Sequence, residues 1–458
     1  MRLRFIASLL ASLVILPGLA AQDTRNVTEP VIPPTCAALD AQLTASGHTL
    51  AAADESRLDT ARIQHAINRC GKGRGVLLRA AGAGNAFLSG PLQLRAGVTL
   101  IVGKGVTLFA SRDASLYSVT PGSCGIVSYG PHRRGCKPLI SVDHAPNSAV
   151  MGDGAIDGRG GEKILGSQYS WWDLAEQARR GGGQQCFRLI VAEYSNNFTL
   201  YRITLKNSPN FHVVYGHGEG FTVWGLKIDT PKRLARNTDG VDPGPDVRNV
   251  TITHSYIRAG DDDVAIKGGM PGGVTNVTVD HDRFYWGHGM SIGSETNGGV
   301  SKIRVSDLSL DGPDNGIRIK SNGSRGGLTH DVVYDNVCIR NSPNPITLDT
   351  AYSAAGTLKG NSPPSMRDVT LHNIRISGGG KITFNGYDHT HRVAATLNGV
   401  LITDEANYTY EVRHADIGLG PEPTNLRLPA GEDSTIHGEP ENGQPASCSE
   451  MFVPFPQE

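Results

Sequence analysis

Asn197-Phe-Thr-Leu-Tyr-Arg-Ile-Thr-Leu205, Gly220-Phe-Thr-Val-Trp-Gly-Leu-Lys-Ile228, Asn249-Val-Thr-Ile-Thr-His-Ser-Tyr-Ile257 and Asn276-Val-Thr-Val-Asp-His-Asp-Arg-Phe284 are four copies of one phrase. Each alternates apolar and polar residues, which is the periodicity of a strand. Weaker copies begin at Lys302, Asp331 and Asp368. The second residues of these phrases, at 198, 221, 250, 277, 303, 332 and 369, lie 23, 29, 27, 26, 29 and 37 apart. A period in this range marks a solenoid. A second strand recurs in step, with Ile266, Ile292, Ile319 and Leu348 at spacings of 26, 27 and 29. Short strands with no helix between them predict an all-β fold, a parallel β-helix rather than a βαβ array. No coil can bury its apolar side alone, so the coils must stack on a continuous core.

Working outward, the 458 residues alone suggest about three domains, and stacking replaces that number with one elongated domain over 22–458. The repeats are clearest over 197–376. Ile63, Ala66, Ile67 and Cys70 recur at helical spacing, which predicts a short amphipathic helix capping the N-terminal end. From about residue 405 the repeat is expected to fade into an irregular tail laid on the surface.

The composition excludes several classes. The 57 glycines, about 12% against a usual ~7%, forbid long helices and coiled coils. With 43 basic and 44 acidic residues the net charge is −1, which argues against a nucleic-acid partner held by bulk charge. Arg2 and Arg4 followed by an apolar run from Phe5 to Leu16 and small residues to Ala21 read as a secretory signal peptide over 1–21. Its removal takes the net charge to −3. The mature chain is therefore expected to be secreted and extracellular, with no membrane partner, and to be a monomer. In an oxidising compartment disulfides are the default for the seven cysteines. Cys124 with Cys136, and Cys36 with Cys70, are candidate pairs, and an odd count leaves at least one thiol over. No C-x-x-C pair points to a metal.

Four clusters fall about one turn apart: Asn237-Thr-Asp239, Gly260-Asp-Asp-Asp263, Gly287-His-Gly289 and Arg318-Ile-Lys320. Asp239 to Asp262 is 23 residues, Asp262 to His288 is 26, and His288 to Arg318 is 30. Each motif alone is ordinary, but stacked they form one patch on the side of the solenoid. Glycoside hydrolysis needs one carboxylic acid to protonate the leaving oxygen and one carboxylate to activate water or attack. Crowding among aspartates raises one pKa and supplies the acid. Arg318 and Lys320, pointing the same way from one strand, suit the carboxylate of an anionic polysaccharide. Arg133, Arg134 and Lys137 in one loop, and Lys232, Arg233 and Arg236 in another, are candidates to extend the same field.

This ordered set, with Gly152-Asp-Gly-Ala-Ile-Asp-Gly-Arg-Gly160 and Trp171-Trp172, resembles the polygalacturonases of glycoside hydrolase family 28 over roughly residues 35–405. The resemblance implies a single-stranded right-handed parallel β-helix. It implies inverting, metal-free hydrolysis of α-1,4 bonds in polygalacturonate, the de-esterified backbone of pectin, with no cofactor. By position, Asp261 resembles the general acid, and Asp239 and Asp262 resemble the pair that activates water. His288 resembles the active-site histidine. Arg318, Lys320, Tyr352 and Asn237 resemble substrate-binding residues. The form of the Gly287–Thr296 stretch resembles bacterial enzymes that cut internally. Asp263 departs from the pattern, and because strand residues alternate faces, Asp261 and Asp262 can share a cleft only if the backbone bends. The other readings are a calcium-dependent pectate lyase, an exo-acting or rhamnogalacturonan hydrolase, and a noncatalytic polysaccharide-binding solenoid.

Overall fold

The structure, a computed structural model, describes residues 22–47, 49–130, 134–232, 234–352 and 360–457. The expected leader over 1–21, and Arg133 and Arg233, lie outside the described residues. The chain winds as a parallel β-helix. On one side, eleven strands among the described residues stack in chain order from Leu92–Gln93 to Tyr408–Arg413. Neighbouring coils of such a stack lie ~4.8 Å apart. The register is continuous, with Val264 opposite Met290, Met290 opposite Ile317, and Ile317 opposite Ile346.

The repeated phrase forms the other large sheet. Its second residues, Phe198, Phe221, Val250, Val277, Ile303, Val332 and Val369, are all buried in one continuous apolar core. They stack in register from Phe221 opposite Val250 to Val332 opposite Val369. The first residue of each phrase turns the corner. Asn197, Asn249, Asn276, Lys302, Asp331 and Asp368 all have φ between 53° and 59°. Asn and Asp tolerate this left-handed conformation better than most residues, so the phrase opens on them for a backbone reason. Gly220 takes the same corner at φ 89°, where a Cβ would meet Asn197 Oδ1 at 2.4 Å.

The capping helix is present as Thr60–Arg69, with Ile63, Ala66 and Ile67 buried. The coils, however, do not end near 405. Strands Tyr408–Arg413 and Ala415–Leu419 continue both sheets, and Ser434–His437 pairs with Ala415–Leu419. Tyr410 and Ile417 extend the interior ladder there even though the phrase itself is lost. Beyond His437 the chain becomes a tail, and it doubles back over earlier coils. Met451 O accepts from Ser309 Oγ at 2.8 Å, Val453 O accepts from Tyr285 Oη at 2.9 Å, and the Phe455 ring lies under Arg258 at 4.0 Å.

The opposite end of the chain makes a second strap. Asp23 N donates to Thr278 Oγ1 at 3.0 Å, and Asp23 Oδ2 accepts from Thr251 Oγ1 at 2.7 Å. Thr24 bonds Asn249, Arg25 reaches Thr222, and Glu29 accepts from Tyr201 Oη. Disulfides join Cys36 to Cys70 and Cys124 to Cys136, both among the candidate pairs, and also Cys338 to Cys448, which ties the tail down. Cys186 is the remaining thiol and is buried.

Candidate active site

The eleven-strand sheet carries the candidate residues on its outer edge. Asp239, Asp262 and His288 each stand two residues before mutually registered strand positions, Val241, Val264 and Met290. They therefore occupy one step of three successive coils. Arg318 does not share that step. It lies one residue beyond Ile317, the partner of Met290, on the strand Asn315–Lys320. This explains why the last spacing, 30 residues, exceeds the others.

The backbone bends at 260–263, ahead of the strand Val264–Ile266, and sends the three aspartates in two directions. Asp261 and Asp262 line a cleft of about 900 Å³ together with Asn237, Asp239, His288, Arg318, Lys320 and Tyr352. Asp263 turns inward instead. It is fully buried and accepts from the backbone N–H groups of Ala259 at 3.1 Å and Gly289 at 3.2 Å. It braces the bend that brings its two neighbours into one cleft.

The acids differ sharply in surroundings. Asp262 is 1% exposed and pairs with Arg318 Nη2, with Lys320 Nζ at 2.7 Å and with Ser291 Oγ at 2.8 Å. Burial pushes its carboxyl up, but the two cations outweigh burial and hold it well below the usual carboxylate range. Asp261 accepts from Asn237 N at 3.2 Å and lies 3.0 Å from His288 Nδ1. Burial again raises it, and the His288 contact brings the net shift down. Asp239 moves the other way. Burial raises it, and neighbouring Asp242, Asp261 and Asp262 add to that against the opposing charge of Lys267. The crowding expected to raise one aspartate thus acts on Asp239, because its partner is a lysine shared with a second acid.

That lysine was not among the candidates. Lys267 Nζ lies 2.7 Å from Asp239 Oδ2 and 3.0 Å from Asp242 Oδ2, and 4.3 Å from the Phe211 ring centroid. Burial raises Asp242 to about 6. The signal was legible in principle: Lys267 follows Ile266 as Lys320 follows Ile319, and those isoleucines share a register through Ile292. Asp314, 3.6 Å from His288 Nε2, was also missed. The ring of Tyr352 closes the far side, 5.0 Å from Lys320 Nζ and 6.0 Å from the Arg318 guanidinium. Of the loop cations, Lys232 pairs with Asp314 at 2.8 Å and Arg236 donates to Ala175 O, both at the cleft, whereas Arg134 pairs with Glu193.

Asp261, Asp262 and His288 offer three ligand atoms within 4.8 Å of one another, the spacing of a possible metal site. Two cations and a hydroxyl already occupy the oxygens of Asp262, so a metal ion there would face like charge. A second such group, His330, Asp331 and Asp368, lies on the open surface.

The family model for glycosyl hydrolases family 28 matches residues 78–417. An endo-polygalacturonase of Pectobacterium carotovorum subsp. carotovorum is 41% identical over 87% of this chain and 93% of its own length. A polygalacturonase of Ralstonia nicotianae is 36% identical over 94% and 92%. Among solved structures, the polygalacturonase from Erwinia carotovora ssp. carotovora superimposes with a TM-score of 0.78 at 39% identity, over 86% of this chain and 100% of that one. The fold shared with it is the right-handed parallel β-helix.

Proposed function

The chain belongs to the glycosyl hydrolases of family 28, and from that premise we propose that it is a secreted polygalacturonase. It cuts α-1,4 bonds inside de-esterified pectin, working as a monomer with residues 22–458 as its one catalytic unit. Endo action is supported by the name of the 41% identical relative, and export by three disulfides, which suit an oxidising compartment. The observation that carries the reading is the row Asp239–Asp262–His288, with Asp261 folded into the same cleft and Arg318 and Lys320 one coil on.

Hydrolysis with inversion needs an acid on one side of the sugar ring and a base with its water on the other. Asp261 gives its proton to the leaving oxygen as the bond from that oxygen to the anomeric carbon breaks. Water forms the new bond to that carbon, and its proton passes to the Asp239–Asp262 pair. Within that pair Asp262, held ionised by two cations, orients the water, and Asp239, whose pKa is raised, is the stronger base. His288 draws the Asp261 carboxyl below its ordinary value against the opposing effect of burial. A uronate carboxylate drawn to Arg318 and Lys320 brings negative charge beside Asp261 and displaces water, and both effects raise the Asp261 pKa. Tyr352 and Asn237 line the bound sugar.

The test is the release of reducing ends from polygalacturonate by the wild type and by Asp261→Asn, with EDTA and separately with calcium. The reading expects metal-independent reducing ends without an ultraviolet-absorbing unsaturated product, and a loss of about 10²–10⁴-fold in the variant. Unsaturated product that requires calcium would make the chain a lyase.

A further inference from the structure

The step that carries Asp239, Asp262 and His288 continues toward the N-terminus. Ile190 is registered with Val213, and Val213 with Val241. Two residues before each stand Arg188, Phe211 and Asp239. Arg188 therefore occupies the catalytic step two coils before Asp239, with Phe211 between them. Its guanidinium lies 4.8 Å from the centroid of the Phe211 ring, the same ring that Lys267 touches from the cleft side.

Arg188 has no ion pair and no side-chain hydrogen bond among the described residues, which sets it apart from Arg318 and Lys320. Arg188 is half-buried, and a guanidinium partly withdrawn from water beside an aromatic ring is ordinarily paired. Burial, with a smaller effect from the charge of Arg134, lowers it to about 10, so it stays protonated at neutral pH. It lines a hollow of about 340 Å³ with Gln184, Ser141 and Asn210. There, Gln184 Nε2 is a buried donor without a partner. Two carboxylates also line the hollow, but Glu193 is engaged by Arg134 and Asp143 lies 2.7 Å from His144 Nδ1, so the unpaired cation and the unused donor are left to face an anion, on the same sheet as the cleft. Arg134 on its rim is already engaged by Glu193 at 2.7 Å.

We propose that Arg188 and Gln184 form a second carboxylate-binding position, which takes a uronate unit remote from the bond being cut. The inference rests on the hydrolase reading. From Arg188 to Arg318 the chain makes five coil steps, about 24 Å at ~4.8 Å per step. Cations at both ends of the acid row then hold a polyanion across it, which a short fragment cannot span. Binding energy gathered far from the reacting bond serves catalysis on long chains.

The experiment compares kcat/KM for a trimer and a hexamer of galacturonate in the wild type, Arg188→Gln and Arg188→Lys. The expected result is a hexamer-to-trimer ratio that falls roughly tenfold or more in Arg188→Gln and is partly restored in Arg188→Lys. A ratio that stays constant while both substrates suffer alike, or a loss that Arg188→Lys does not relieve, would make Arg188 a packing residue on Phe211 and overturn the inference. If the wild type releases no reducing ends at all, the hydrolase reading fails instead, so the two failures are distinguishable.

Discussion

Replacing Lys267 by Met tests whether charge or packing holds the floor of the cleft. Lys267 is the partner of two buried carboxylates, Asp239 at 2.7 Å and Asp242 at 3.0 Å. Both carboxylates have folded-state pKa values above their ordinary one, so folding takes up protons. Their contribution to stability is greatest below about pH 4 and falls as pH rises through the raised values. For Asp242 that window runs from 3.8 to about 6. The shift corresponds to about 3 kcal/mol lost on going to neutral pH. Without the ammonium both carboxylates rise further and the window widens upward. Breaking a buried ion pair costs about 3–5 kcal/mol when the remaining charge stays ionised. The Lys267→Met variant should therefore lose about 3–5 kcal/mol in urea denaturation near pH 8 but only about 1 near pH 4.5, below the value to which Asp242 is raised. Equal losses at the two pH values would refute the reasoning, because the stem of Lys267 would then be acting only through its contact with Phe211.

Three further outcomes are expected from the geometry. His288→Asn removes the group that lowers Asp261, so kcat should fall while the alkaline limb of the kcat/KM profile moves upward; a limb that stays put would separate Asp261 from that limb. Gly289→Ala, at φ 72° with a Cβ that would sit 2.0 Å from Asn315 O, should displace the neighbouring His288 and cost activity out of proportion to any change in Tm, measured on the same sample. Loop-closure entropy ranks the disulfides by separation: opening Cys338–Cys448, 110 apart, should cost about 5 kcal/mol, and opening Cys124–Cys136, 12 apart, about 3. Cysteine-to-serine variants compared by denaturation check that order, which a larger loss from the short loop would reverse.

The coils were legible because burial repeats with them. Phe221, Val250, Val277 and Ile303 sit at one interior position, and the residues before them, Gly220, Asn249, Asn276 and Lys302, mark the corner. The acids were legible because their spacing is that of the coils. Register explains what was not. Arg318 lies three residues past Asn315, the position in step with His288, and the part played by Asp263 became visible only once the bend turned it inward. Lys267, Asp242 and Arg188 are single residues in ordinary strand contexts, and only stacking gives them partners or leaves them without one. The coils past 405 escaped notice because Tyr410 and Ile417 fill the core without the phrase. The Cys338–Cys448 pair depended on where the tail returned.

The N-terminal strap sets a clock on folding. Asp23 is held by Thr251 and Thr278, residues made 228 and 255 positions later, and Thr24 and Arg25 wait 225 and 197 positions for Asn249 and Thr222. Chains tend to fold in the order in which they are made, yet here residues 23–25 cannot settle until the coils bearing Asp239 and Asp261 exist. From the other end Phe455 closes over Arg258 on those same coils. Both termini therefore latch onto the catalytic stretch, and a chain cut short before it keeps a loose leading end. That end is a ready mark by which proteases can tell an unfinished chain from a finished one.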